Sequence, residues 1–302
     1  RSIASDEDIF KHNTLTAGLH LKYDSDAFTL TSITGYRKTN FNWLNDGDGV
    51  ATFYVNYGQQ DETKQWSQEI RIASPDPQAR FGWLAGGYYF RETGSQFVFI
   101  PVRLSLFGIF DDSVTSDGES KTNAYAGFGE LYYRVTDQLK LTLGGRYSHE
   151  KRSVDYLYKG FAGPRQRKSG EESFNNFSPK AVLSYELNDD ANLYVSVSRG
   201  FKSGGFNFLA FQDGFAPEKI WNYEGGYKAT FLDGRARFNA SVFYSDFTDL
   251  QVGQIVNLQS VLTNAASAEL YGLEADFAFL PTDDFEIGGT LGYLHAEFTE
   301  FC

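Results

Sequence analysis

Apolar and polar side chains alternate with a period of two through most of this chain. "LKLTLGGRYSH" sets Leu139, Leu141, Leu143, Gly145 and Tyr147 against Lys140, Thr142, Gly144, Arg146 and Ser148. "WNYEGGYKATF" puts Trp221, Tyr223, Gly225, Tyr227, Ala229 and Phe231 on one face. "LYGLEADFAF" and "FEIGGTLGYL" repeat the pattern, so Leu273 and Phe277 are expected on the apolar face and Glu274 and Asp276 on the polar one. This is the alternation of β-strands with one apolar and one polar face. No segment carries a convincing helical period.

The connections alternate as well. Short turns fall at 23–28, 74–80, 134–140, 186–193, 231–237 and 280–286, each carrying Asp, Asn, Gly or Pro. These residues suit tight reversals. Between them lie stretches without alternation, near 42–62, 94–121, 151–173, 202–218 and 248–266, which read as long irregular loops. The spacing gives about twelve strands, several of them longer than the ~10 residues that cross a bilayer at a tilt. Short turns on one side and long loops on the other describe a transmembrane β-barrel. Soluble sandwiches have strands of about five or six residues and no such asymmetry. The predicted fold is therefore all-β: an antiparallel transmembrane β-barrel, partial, with residues 1–302 supplying part of a larger barrel.

One stretch shows a strand leaving the bilayer. In "YVSVSRGFKSGGFN" (194–207), Val195 and Val197 alternate with serines before Arg199 and Lys202 enter. Arg199 has the parity of the apolar side, so the strand has reached the interface by that point. Gly200, Gly204 and Gly205 then suit a bend into a loop.

Composition removes several alternatives. The 302 residues carry a formal charge of -12, which argues against nucleic acid as a partner. The one cysteine, Cys302, leaves no disulfide framework and no cysteine metal site. No apolar run is long enough for a membrane helix. The longest, "FVFIPVRLSLFGIF" (97–110), is interrupted by Pro101 and Arg103. The chain opens on Arg1, contains no methionine and closes within what reads as a strand, so it is expected to be an internal piece of a longer protein.

Candidate chemistry is sparse, and no enzyme, cofactor or metal site is expected. His12, His20, His149 and His295 are isolated, and His149 beside Glu150 reads as a rim residue. "NDGDG" (45–49) resembles a calcium loop, but the twelfth position from Asp46 is Tyr57 rather than glutamate, so a solvated loop is expected. The pairs Gly86–Gly87 and Gly144–Gly145 sit inside strand patterns, where close packing or barrel bending is their expected role. Aromatic residues in the long loops are the stronger signal, because exposed apolar clusters mark binding surfaces. The candidate substrate-binding residues are Phe99, Arg103, Phe107, Lys202, Phe206, Phe208 and Phe211. Arg103, Arg165, Arg167, Lys168 and Lys202 would draw an anionic ligand to the mouth unless carboxylates such as Asp111, Asp112, Glu171 and Glu172 neutralise them.

The stretches "TLTSITGYRK" (29–38), "QWSQEIRIAS" (65–74), "FGWLAGGYYF" (81–90), "YAGFGELYYRVTDQLKLTLGGRYSHEKR" (125–152), "FSPKAVLSYELNDDANLYVSVSRGFKSGGFN" (177–207), "PEKIWNYEGGYKATFLDGRARFNASVFYSDFTDLQ" (217–251) and "TNAASAELYGLEADFAFLPTDDFEIGGTLGYLHAEF" (263–298) follow one another in order. Together they resemble the β-barrel of TonB-dependent outer-membrane receptors. That resemblance implies active uptake of a scarce nutrient across the bacterial outer membrane. Energy would come from the TonB complex, and lipid and lipopolysaccharide would surround the wall. The cargo it implies is a ferric siderophore or other iron complex, ahead of cobalamin or a carbohydrate. Large barrels of this type have about 22 strands and a plugged lumen. A plug domain, a TonB box and the final strands are not recognisable in this chain. A passive porin-like channel and a soluble β-rich carbohydrate-binding protein remain as alternatives.

Overall fold

The structure, a computed structural model, describes residues 8–47, 54–76, 79–103, 105, 110–208, 210, 212–256 and 259–301. They form one antiparallel sheet of twelve strands, each hydrogen-bonded to its neighbours in chain order. The strands are β1 (Ile9–Asp24), β2 (Thr29–Asp46), β3 (Asn56–Ala73), β4 (Phe81–Val102), β5 (Asp112–Arg134), β6 (Leu139–Lys159), β7 (Arg165–Asn188), β8 (Ala191–Lys202), β9 (Glu218–Phe231), β10 (Ala236–Val256), β11 (Gln259–Thr282) and β12 (Phe285–Phe301). Among the described residues no ladder joins β12 to β1, so the sheet is a section of barrel wall.

The register converts the sequence alternation into two faces. Leu143 pairs with Leu131 on one side and Ala181 on the other, so these side chains share a face. The same face carries Leu183, Val195, Val242, Leu273, Phe277 and Leu291, all exposed. Large apolar side chains pointing out of the sheet with no protein over them are what a bilayer requires of a barrel exterior. The opposite face is polar and internally paired. Lys180 meets Glu130 at 3.1 Å, Arg134 meets Glu186 at 3.2 Å, and the Asn239 amide donates to Asp276 at 3.0 Å. Arg146 lies over the Tyr88 and Phe128 rings.

Aromatic rings edge the apolar band. On the long-loop side Trp66, Tyr89 and Tyr125 follow one another at 5.5 and 4.9 Å between centroids. Tyr223 and Tyr244 continue the row at 6.3 Å, and Tyr271 stacks on His295 at 4.8 Å. Tyr23, Tyr133, Tyr185 and the Tyr227–Phe238 pair lie toward the short turns. From Tyr125 to Tyr133 the strand advances about 20 Å along the barrel axis at a tilt of about 40°, close to the apolar height of an outer-membrane barrel. Such rings sit at the headgroup level of a membrane.

The short turns are where the sequence places them. At 232–235, Leu232, Asp233 and Gly234 all have positive φ (55°, 54° and 87°). The Arg235 guanidinium caps the neighbouring turn at the Leu280 and Pro281 carbonyls.

The long connections differ from expectation. Most residues of 42–62, 94–121, 151–173 and 248–266 are strand, paired as hairpins that continue above the aromatic row. β6 and β7 remain in register from Leu139↔Tyr185 to Lys159↔Arg165. Above the bilayer both faces of a strand are wet, so the apolar alternation disappears while the backbone ladder persists. The described residues of 203–217 are the exception and leave the sheet.

The glycine pairs split by face. A Cβ on Gly86 would meet Phe128 at 2.7 Å and the Ile70 carbonyl at 2.8 Å, so close packing explains it. Gly87 points outward, and its nearest neighbour, the Ala126 carbonyl, would be 3.9 Å from an added Cβ. Close packing does not account for Gly87.

Candidate functional site

Beyond Lys202 the chain folds against the upper, inward-facing parts of β6 and β7. Gly205 and Phe215 exchange backbone hydrogen bonds of 3.0 and 2.9 Å, closing the segment into a compact loop. Glycine is required at 204 by crowding rather than by φ: a Cβ there would overlap the Phe215 carbonyl oxygen and meet the Phe174 ring at 2.7 Å. Gly170 on β7 makes room for Phe206 in the same way.

The loop seats on an aromatic patch. Val154, Tyr156 and Tyr158 alternate along the inner face of β6, and Val114, Phe206 and Phe208 pack on them. Tyr156 and Phe208 have centroids 5.1 Å apart. The Tyr156 hydroxyl donates to the Ala210 carbonyl at 3.1 Å and lies 3.4 Å from that of Asn207. Burial pushes the Tyr156 and Tyr158 phenols above their ordinary pKa.

The loop's other side is pinned to the β10–β11 hairpin. The Gln212 amide donates to the Leu262 carbonyl at 2.7 Å and accepts from the Leu262 amide at 2.9 Å. Asn264 makes the same reciprocal pair with Ala216, both bonds 2.8 Å. Gln251 reaches the Ser203 and Ala216 carbonyls at 3.0 and 3.1 Å. Lys168 on β7 binds Asp213 at 2.7 Å and holds that carboxyl below the usual carboxylate range.

The loop cations are thus mostly engaged. Arg167 grips Asp155 through two nitrogens, at 2.8 and 2.5 Å, and holds its pKa down. Lys202 lies 3.7 Å from Glu218, and Lys159 pairs with Asp112. Neutralisation therefore prevails over an open cationic mouth at these positions. Its carboxylates are largely not those expected, since Asp155, Asp213 and Glu218 take the cations and Glu171 pairs with Lys151.

The predicted site residues fall into separate groups. Phe206 and Phe208 come together on the Tyr156 patch, with Lys202 at the root of their loop. Phe99 lies on β4, stacked on Phe97 at 6.4 Å on the outward face, and does not join them. The Arg103 amide donates to the Tyr54 carbonyl at the β4 tip. Four strand spacings, about 19 Å along the sheet, separate β4 from β8. Phe107 and Phe211 lie outside the described residues, as does Asp48 of the calcium-like stretch. Tyr156, Tyr158, Gln212, Gln251 and Asn264 are the participants that sequence reasoning missed, whereas Lys168 is one of the expected mouth cations. The alternation of Tyr156 and Tyr158 with Asp155 and Leu157 was the available signal.

The result is a mouth whose aromatic wall, Tyr156 and Tyr158, is buried under a loop held by polar pins. The family model described as TonB dependent receptor-like, beta-barrel matches residues 2–300. The pesticin receptor of Yersinia pestis is 29% identical over 192 residues, covering 62% of this chain and 28% of the receptor. The ferripyoverdine receptor of Pseudomonas aeruginosa is 32% identical over 127 residues, covering 42% and 14%. Among solved structures, the ferric yersiniabactin uptake receptor of Yersinia pestis superposes with a TM-score of 0.85 at 20% identity, over 98% of this chain and 45% of its own. The chain spans less than half the length of each of these proteins.

Proposed function

The chain belongs to the TonB-dependent receptor β-barrel family, and on that premise we propose that it forms wall and mouth of an outer-membrane receptor importing a ferric siderophore. The observation that carries the reading is the loop at 203–217. It sets Phe206 and Phe208 on the Tyr156 patch at the inner mouth and is held by a hydrogen bond from Tyr156 and an ion pair from Lys168. Apolar walls with a few convergent polar groups are what small-molecule sites use. Lys202, Phe206 and Phe208 are the proposed contact residues, with Phe211 of the same loop. The relatives named for pesticin and ferripyoverdine support an iron chelate as cargo.

On this reading residues 1–302 are barrel throughout. Free edges at β1 and β12 would expose unpaired backbone within the bilayer, so the strands that close the wall belong to the rest of the receptor. Its partners are the TonB complex, which supplies energy from the periplasmic side, and lipopolysaccharide around the wall. A strain lacking the gene, grown under iron limitation with candidate siderophores supplied singly, tests the cargo. Loss of growth on one ferric siderophore supports it. Unchanged use of every iron source, with lost growth on a glycan or on cobalamin, refutes iron and retains transport.

A further inference from the structure

The outward face of the wall carries opposite charge in two sectors at one height. Over β3–β6 the sector is cationic. Arg91 and Lys151 flank Asn123 as its ladder partners on β4 and β6, and Lys121 is the next outward position on β5. They lie two to four residues beyond Tyr89, Tyr125 and Tyr147 of the upper aromatic row. Lys151 pairs with Glu171 at 2.7 Å, whereas Arg91 and Lys121 take no carboxylate among the described residues. On β3, Lys64 shares Glu62 with Lys38 of β2.

Over β10–β12 the same height is acidic. Asp246 opposes Glu269, and Glu269 opposes Glu297. Each lies two residues beyond Tyr244, Tyr271 or His295 of the same aromatic row. Two strand spacings spread this row over about 10 Å, the width from Arg91 to Lys151. Glu297 has His295 at 3.6 Å, and Asp246 and Glu269 take no cation among the described residues. The nearest outward cations are engaged elsewhere. Arg199 donates to the Phe177 carbonyl at 3.4 Å, and Lys219 holds Asp249 at 2.8 Å. Like charges directly opposite each other destabilise a sheet. The acidic row therefore costs stability in a lone receptor, and cations brought against it from outside offset that cost.

The apolar wall beneath each sector permits close approach. Gly87 and Gly127 lie in a recess of about 440 Å³ under the cations. Gly225, Ala240 and Ala275 lie in one of about 680 Å³ under the acids. Small residues let backbones approach closely within a bilayer.

We propose that the acidic sector of one copy docks on the cationic sector of a second copy in the plane of the membrane. Arg91, Lys121 and Lys151 of one wall meet Asp246, Glu269 and Glu297 of the next. The sectors match in sign, in width and in height above the aromatic row, so two upright copies bring them together. β5 and β11 stand six strands apart, so each copy uses different surfaces toward its two neighbours. Such a heterologous contact builds rings or rows rather than a two-fold pair. The proposal rests on the membrane reading of the wall and is independent of the cargo.

The test uses the complete receptor in phosphatidylcholine vesicles with EDTA, where neither lipopolysaccharide nor a divalent ion can bridge copies. Self-association is read as energy transfer between donor-labelled and acceptor-labelled receptors. One variant carries Asp246→Lys and Glu269→Lys, the other Arg91→Glu and Lys121→Glu. Wild type should associate, and each variant alone should lose about tenfold or more in association constant, because like charges then face each other. An equal mixture of the two variants should associate again, since opposite sectors are restored between unlike copies. That recovery also shows both variants to be folded. Wild-type association in either variant alone overturns the proposal. So does wild-type energy transfer no greater than random crowding gives, and so does a mixture that fails to recover. None of these results bears on uptake. A receptor that self-associates as described yet imports nothing overturns the transport reading and leaves the contact standing.

Discussion

Leu143→Arg and Thr142→Arg place the same charge one residue apart on β6, on opposite faces of the wall. Leu143 is 48% exposed on the outer face between Leu131 and Ala181. It lies four residues below Tyr147 of the upper aromatic row, about 10 Å along the axis, which is the middle of the ~20 Å band. An arginine there meets hydrocarbon, at a cost of about 2–4 kcal/mol at the midplane. Thr142 faces the lumen, where Lys140 and the Glu130–Lys180 pair already place charge. Thr142→Arg should cost well under about 1 kcal/mol, as a solvated substitution. Reversible denaturant unfolding of the complete receptor in lipid vesicles measures both. The folding constant should fall roughly 30- to 700-fold for Leu143→Arg and little for Thr142→Arg. Equal losses, or a greater loss for Thr142→Arg, would refute the assignment of faces and with it the membrane reading of the register.

Tyr156→Phe removes the hydroxyl that holds Ala210 and should loosen the loop by about 0.5–1.5 kcal/mol, read as faster amide exchange across 203–217 with the strands unchanged. Gly204→Ala should displace the loop and lower siderophore affinity, because a Cβ overlaps the Phe215 carbonyl, whereas Gly127→Ala, open within 4 Å, should leave affinity unchanged in a titration. The Lys168–Asp213 pin should depend on pH with a definite sign. Lys168 lowers the Asp213 pKa, so the pin's contribution is complete above the ordinary aspartate value of about 3.9 and is lost as pH falls through the lowered one. Proteolysis of the loop by an acid-active protease should therefore accelerate only in that acid range, and Asp213→Asn should abolish the dependence.

The wall was legible in the sequence because the bilayer imposes a period of two on every residue it touches. "LKLTLGGRYSH" and "LYGLEADFAF" therefore revealed their faces. The upper hairpins were not, since water covers both of their faces. "RQRKSGEESFNN" (165–176) reads as irregular, yet it is paired along its length with β6. The mouth was half legible for the same reason. Phe206 and Phe208 stood out as loop aromatics, but their seat on Tyr156 lay in a stretch that reads as loop, because Leu157 breaks the polar positions of a short alternation there. Phe99 was misplaced with them because a loop reading carries no parity, and parity is what turns it outward.

Active uptake is the claim on which the rest depends. The direct measurement is accumulation of radioactive iron, presented as its ferric siderophore, in cells with the receptor, without it, and with the receptor after collapse of the proton gradient. Accumulation should require both the receptor and the gradient. Uptake that persists without the receptor, or that continues through it after the gradient is collapsed as through a passive channel, would contradict the account.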